Sequence, residues 1–258
     1  MKPSVKRIIL ILTCVLLAAG LCALLFASRE HRRLITCEGL RVEYADDFRF
    51  VTDDDIKAWL ECDYGSYIGQ RLDSVGLARI ESILDGQSAV LKSEAWTTED
   101  GLLNIRITQR QPVLRFQKGA TGFYVDDRGC LFPLQEHFEA PVPVVEGLVP
   151  VRYEAGYKGK AGTPEEQRWI AQVLEMMSWL KKNKVWKDFF VRFTVSDGGD
   201  FILTPWTGKE RFLFGAPERF PDKFDRIARY YEYIRPSREE NFYKTVKVKY
   251  DKQIICRQ

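Results

Sequence analysis

Three consecutive aspartates, Asp53-Asp54-Asp55, are the first residues that metal chemistry would ask for. They follow Thr52 and precede Ile56, Trp59 and Leu60, which is the pattern of a capped amphipathic helix. Thr52 is placed as N-cap, and Asp55 takes the capping-box position where Glu or Gln is commoner. Acidic charge in the first turn also answers the helix dipole, so the run reads as a helix start rather than a cation site. The paired carboxylates Asp126-Asp127 stand before Arg128-Gly129, where Asp is favoured for backbone reasons. Only two histidines exist, His31 and His137, too few and too scattered for a triad or a metal trio. Gly156-Tyr157-Lys158-Gly159-Lys160-Ala161-Gly162 resembles a phosphate loop in composition, but it lacks the Gly-Lys-Ser/Thr ending and a clear preceding strand. It reads as a surface loop. With no GxSxG or HExxH motif either, the residues predict no enzyme, no cofactor, no metal and no small-molecule substrate.

Twenty uncharged residues, Ile8 to Ala27, are the strongest non-catalytic signal. At about 1.5 Å per residue they span about 30 Å, enough to cross a hydrocarbon core. Lys2, Lys6 and Arg7 precede the span, and Arg29, Arg32 and Arg33 follow it with Glu30. The positive-inside signal is weak, but a long following domain translocates largely regardless of its own charge. The expectation is a cytoplasmic tail over 1–7, a transmembrane helix over 8–27 and an exported remainder. A cleaved signal peptide is the alternative. Its apolar region would be long, and Leu25-Phe26-Ala27 puts a bulky residue where a small one is wanted.

All 36 acidic residues lie beyond Ala27, and the three basic residues ahead of the span account for the whole net charge of +3. A formally neutral exported part disfavours a nucleic-acid surface. Its four cysteines, Cys37, Cys62, Cys130 and Cys256, show no CxxC or metal spacing. Export permits disulfides, yet so scattered a set reads as buried free thiols.

The elements beyond the span divide in two. Over 28–110 a strand is predicted within Leu34 to Tyr44, then the helix capped by Thr52. A second helix starts near Asp73-Ser74, carries Leu77, Ile80, Ile83 and Leu84, and stops at Gly86. Val90 to Trp96 and Leu103 to Thr108 then form a hairpin around Thr98-Glu99-Asp100-Gly101. The order β-α-α-β-β predicts two helices on one face of a three-stranded sheet.

That order just after a membrane anchor resembles a POTRA domain. Gly69-Gln70, Asp73-Ser74-Val75, Leu77-Ala78-Arg79-Ile80 and the ending Ile107-Thr108-Gln109-Arg110-Gln111-Pro112-Val113 resemble the FtsQ/DivIB family of bitopic bacterial cell-division proteins. Gly69, Gln70, Arg110 and Pro112 are the structural motif positions. The chain departs from the family at Gly76, where Asp is frequent, and at Gln109, where Glu is frequent. Further along, Phe123-Tyr124-Val125-Asp126-Asp127-Arg128-Gly129 and Val142-Pro143-Val144-Val145-Glu146-Gly147 resemble its next hairpin and strand.

The remainder, 111–258, reads as a β-rich α+β domain. Thr163-Pro164-Glu165-Glu166 starts a helix with the buried stripe Ile170, Val173, Leu174, Met177 and Leu180. Strands are predicted around Phe190 to Val195, Asp200 to Leu203 and Arg211 to Phe214. A helix follows Pro217 with Phe220, Phe224, Ile227, Tyr231 and Ile234. The chain closes on one strand over Lys244 to Ile255, where Val246, Val248 and Tyr250 alternate with Lys247, Lys249 and Asp251. Placed at a sheet edge, it would offer unpaired N–H and C=O groups to another chain. The alternative is that its apolar residues are simply core.

The resemblance implies a non-enzymatic scaffold of the division machinery in the inner membrane, at the division site. FtsB-like and FtsL-like partners would be captured by strand addition through Thr245, Val246, Lys247, Val248, Lys249, Tyr250, Asp251 and Ile254. Lys249-Tyr250-Asp251 resembles the family's motif at that position. Two competing classes are an anchored envelope enzyme and a POTRA-bearing transport protein. The first has no catalytic constellation. The second has helices where barrel strands should be.

Overall fold

The computed structural model describes residues 12–25, 35–46, 50–135, 138–239 and 241–258. His31, His137 and the ends of the expected membrane span lie outside them. Within the span, residues 12–25 are helical, with every residue exposed. No helix among the described residues is by itself long and apolar enough to cross a membrane. The chain divides into two compact units, Met1–Gln109 and Arg110–Gln258, and the fold is mixed α+β.

The first unit runs β1 (Gly39–Tyr44), α1 (Asp53–Asp63), α2 (Leu77–Gly86), β2 (Val90–Thr97) and β3 (Leu102–Gln109). Its sheet order is β1-β3-β2, with β1 parallel and β2 antiparallel to the central β3. Leu103, Ile105 and Ile107 of β3 are fully buried, as are Ile56 and Leu60 of α1 and Ile80 and Leu84 of α2. Burying that alternate row under two helices drives the layer together. Leu77 and Ile83 are only half-buried.

Each of the three aspartates has a structural partner. The Asp55 backbone N–H donates to Thr52 Oγ1 (3.2 Å), and the Thr52 backbone N–H donates to Asp55 Oδ2 (2.9 Å), completing the capping box. Asp53 accepts from Tyr44 Oη at 2.7 Å, and Asp54 pairs with Lys57. Two boundaries differ from expectation. Residues ahead of Gly39 leave β1 and bond to the Gln70–Leu72 stretch, as Cys37 N–H to Gln70 O at 2.7 Å shows. The second helix begins at Leu77, because Leu72–Ser74 is a separate 3₁₀ turn and Val75 is extended. Gly69 sits at φ +80°, a conformation L side chains rarely adopt. Gln70 closes the same loop, donating to Ser66 O at 2.7 Å and accepting from Tyr64 Oη at 3.2 Å.

The second unit is built on a ten-stranded sheet. Its strands are β4 (Pro112–Lys118), β5 (Thr121–Asp126), β6 (Cys130–Pro133), β7 (Val144–Gly147), β8 (Gly159–Lys160), β9 (Phe190–Val195), β10 (Phe201–Pro205), β11 (Arg211–Gly215), β12 (Thr245–Lys247) and β13 (Ile255–Arg257). Their spatial order is β13-β12-β11-β10-β9-β7-β4-β5-β6-β8. Helices α3 (Pro164–Lys182) and α4 (Phe220–Arg229) contribute to a single core with the sheet, rich in Phe190, Phe193, Phe212, Phe214 and Phe224. Aromatic pairs run through it, including stacked Trp179–Phe224 at 5.1 Å and tilted Phe214–Phe224 at 4.9 Å. The aromatic stripe of the second helix is therefore packing.

The loop that resembles a phosphate cradle contains β8, paired antiparallel to β6. The helix start beyond it is occupied from within. Thr163 and Glu166 form a capping box, and Glu166 Oε1 also accepts the Arg152 backbone N–H at 2.9 Å. Arg110 enters this unit with its guanidinium 2.9 Å from Asp126, a nearly buried pair, and Pro112 opens β4. Asp126 also accepts the N–H groups of Arg128 and Cys130, so it serves the turn. All six cysteines are unpaired. Cys37 is buried, but Cys62 is exposed and Cys130 and Cys256 are intermediate, so a uniform set of buried thiols is not found.

Candidate partner-binding edge

The run expected as one strand over Lys244 to Ile255 is two strands and a turn. β12 lies inside the sheet, parallel to β11 and antiparallel to β13, so the edge is Ile255–Arg257 and not the stretch around Lys249. Val246 and Val248 are fully buried in the core. The chain then leaves the strand, and the cause is a set of tertiary ties. Lys249 passes over Gly215, where a Cβ would sit 2.8 Å from the Lys249 Cβ, and Gly215 holds φ +83°. Its ammonium reaches Asp200 at 3.0 Å, and that hydrogen bond raises the Lys249 pKa. Asp251 receives Arg219 at 3.1 Å and Arg226 at 3.8 Å, while Arg226 Nε donates to Val248 O at 2.9 Å. Lys252 completes the turn at φ +55°. The polar stretch Asp251-Lys252-Gln253 was the available sequence signal for this turn.

The eight expected residues thus separate by role. Lys249 and Asp251 are held by internal ion pairs, while Tyr250 between them is 44% exposed. Ile254 is half-buried against the core. Thr245 and Lys247 face away from the core that takes Val246, and on that outer side the register adds residues from distant parts of the chain. Arg211, Thr245 and Arg257 stand side by side, and so do Leu213, Lys247 and Ile255. Arg211, Leu213 and Arg257 were missed in the sequence because only the sheet brings them to Thr245 and Lys247. Among the described residues Arg211, Lys247 and Arg257 make no ion pair. The outer row of the first unit is different: Glu43, Arg106 and Glu94 are joined across its three strands, and Lys92 pairs with Glu94.

Just before β11, Glu210 is buried and accepts the Tyr231 hydroxyl at 2.7 Å. Burial, then that carboxylate, pushes Tyr231 far above the ordinary phenol range; burial pushes Tyr230 up to about 12. This tie fastens the helical segment after α4 to the strand that carries β12. The opposite edge of the sheet, β8, is only two residues long, and Tyr157 Oη donates to its Lys160 carbonyl at 2.7 Å. No group of three His, Cys, Asp or Glu among the described residues is arranged to hold a metal ion.

Comparison with known proteins fits this architecture. A family profile described as FtsQ/DivIB, C-terminal related, matches residues 111–257, more than half of the chain. A profile described as POTRA-like domain matches residues 35–108. No curated protein matches the chain significantly. The two profiles fall in the same order on consecutive parts of the sequence, and the chain belongs to the FtsQ/DivIB family of cell-division proteins.

Proposed function

We propose that this protein is a non-enzymatic, membrane-anchored scaffold that captures other division proteins by strand addition at the β13 edge. The single observation that carries this reading is the contrast in polar satisfaction at that edge. β13 is the last strand of a ten-stranded sheet, and beside it lies an outer face whose Arg211, Lys247 and Arg257 have no counter-charge among the described residues. An added strand satisfies the edge, and acidic side chains flanking it satisfy the face. FtsB-like and FtsL-like chains are the expected partners. The anchor is assigned to residues 8–27, with the N-terminus cytoplasmic and both units exported. Its support is the uncharged sequence and the full exposure of helix 12–25, where Leu16, Leu17 and Leu24 are all at least 66% exposed.

The test is a proline scan through Ile255, Cys256 and Arg257 in the full chain, followed by pull-down from membranes. Alternate residues of an edge strand point their N–H groups outward, so at least one position removes an outward donor without breaking the β12 ladder. That variant should keep its fold and lose partner capture. Undiminished capture by every folded variant would rule out strand addition at β13.

A further inference from the structure

The second unit carries a further exposed surface, around Phe189. Its three most exposed large apolar side chains among the described residues are Trp206 (77%), Val185 (69%) and Tyr233 (67%). They sit on three connections that meet around Phe189. The Trp206 backbone N–H donates to Phe189 O at 2.9 Å, the Trp186 and Phe189 rings are 5.1 Å apart, and Tyr231 packs edge-on against Phe189 at 5.3 Å. The connections are therefore fixed to one another, and the exposed side chains are held on a supported end of the fold.

The charges around this end are one-sided. Lys181, Lys182, Lys184 and Lys187 stand against Asp188 alone on the first connection, and none of these lysines has an ion-pair partner among the described residues. Lys209 follows Trp206 on the second, where the neighbouring Glu210 is buried on Tyr231. Glu232, Glu239 and Glu240 on the third are matched in number by Arg235, Arg238 and Lys244.

We infer that this end rests on an anionic bilayer surface. Indole and phenol rings are amphipathic and collect at the membrane–water boundary, and lysines beside them engage lipid phosphates. Trp206 and Val185 are mostly exposed, which leaves them free to enter a soft surface. The inference rests on the anchored reading above, which keeps the unit near a membrane.

The experiment uses the full chain in nanodiscs, with a photoreactive phenylalanine analogue replacing Trp206. One set of discs is phosphatidylcholine, and the other adds phosphatidylglycerol. Lipid adducts on the probe peptide should form in the anionic discs and fall at least roughly fivefold in the neutral discs or in the Lys184→Glu/Lys187→Glu variant, since each lysine near such a surface contributes a preference of about that size. A probe that captures no lipid in either disc overturns the inference, as does lipid capture indifferent to lysine reversal. Capture of a co-reconstituted protein in place of lipid also overturns it, in favour of a protein partner. A chain that fails to enter the discs at all overturns the anchored reading instead, so the two failures are told apart.

Discussion

Two sheet edges in this molecule meet water in opposite ways. In the first unit, β2 is an edge strand, yet two of its outward N–H groups are taken by carboxylates of α2. Ser93 N–H donates to Asp85 at 2.6 Å and Ala95 N–H to Glu81 at 2.8 Å. The helix that covers the core also closes the edge. In the second unit, among the described residues, no helix carboxylate accepts from a β13 N–H, and the cations on the face beside it make no ion pair. An edge that is closed by side chains is protected against pairing, whereas an edge left open beside an unbalanced face is suited to it. The difference supports a selective use of β13 in the proposed strand addition, since the fold closes the β2 edge with side chains from its own helix.

The largest effect is expected at β13 itself, where the proline scan should abolish partner capture. Next in size is the core that holds the closed edge in place. Ile80→Ala should cost about 2–5 kcal/mol in denaturant unfolding, because Ile80 is fully buried. Leu77→Ala should cost clearly less, since Leu77 is only half-buried; equal losses would mean that the face of α2 is wrongly described. Removing the closure comes third. Asp85→Ala with Glu81→Ala leaves two edge donors without acceptors and should cost about 1–3 kcal/mol per lost charged hydrogen bond. It should also induce self-association measurable by light scattering, and a monomeric double variant would show that these carboxylates do not guard the edge.

Alkaline pH tests the packing of the second unit in a further way. Burial raises Tyr153 and Tyr230 to about 12, and burial raises Tyr231 more. Each favours the neutral phenol in the folded state, so its contribution is complete below the unfolded value of 10.0 and is lost as pH rises through the folded value. Lys223 works in the opposite direction, because burial lowers its pKa and its penalty is relieved as pH rises towards 10.5. Three phenols against one ammonium predict that the second unit melts at lower temperature above about pH 10. Late tyrosinate absorbance in thermal scans would report it, and a melting temperature that is flat there would contradict the assignment. The smallest effect is expected from Lys249→Ala. Its ion pair with Asp200 is partly exposed, and about 0.2–1 kcal/mol is the expected loss.

What the sequence made legible was local. Thr52 with Asp55, and Thr163 with Glu166, announce helix starts within four residues, and both form the capping boxes expected of them. The alternation Leu103, Ile105, Ile107 announces a strand with one buried face, and all three are buried. The candidate edge was only half legible, because its shape depends on ties that cross the chain. Lys249 reaches Asp200, forty-nine positions away, and Asp251 reaches Arg219, thirty-two away. No periodicity encodes those pairs, so the alternating run around Val246 and Val248 read as a longer strand than the one that forms. Arg211 and Arg257 come to flank Thr245 for the same reason: the parallel pairing of β11 with β12 and the antiparallel pairing of β12 with β13 place them in one row. The closure of β2 by Asp85 was invisible because a carboxylate on a helix surface looks solvated until the strand beneath it is known.

Amide hydrogen exchange, measured on the full chain with and without an FtsB-like partner segment, reads strand addition at β13 residue by residue. New protection is expected at Ile255, Cys256 or Arg257 on binding and none at Ser93 or Ala95, whose donors are already occupied. Protection appearing in β2, or binding that leaves β13 exchanging as freely as before, would contradict strand addition at β13.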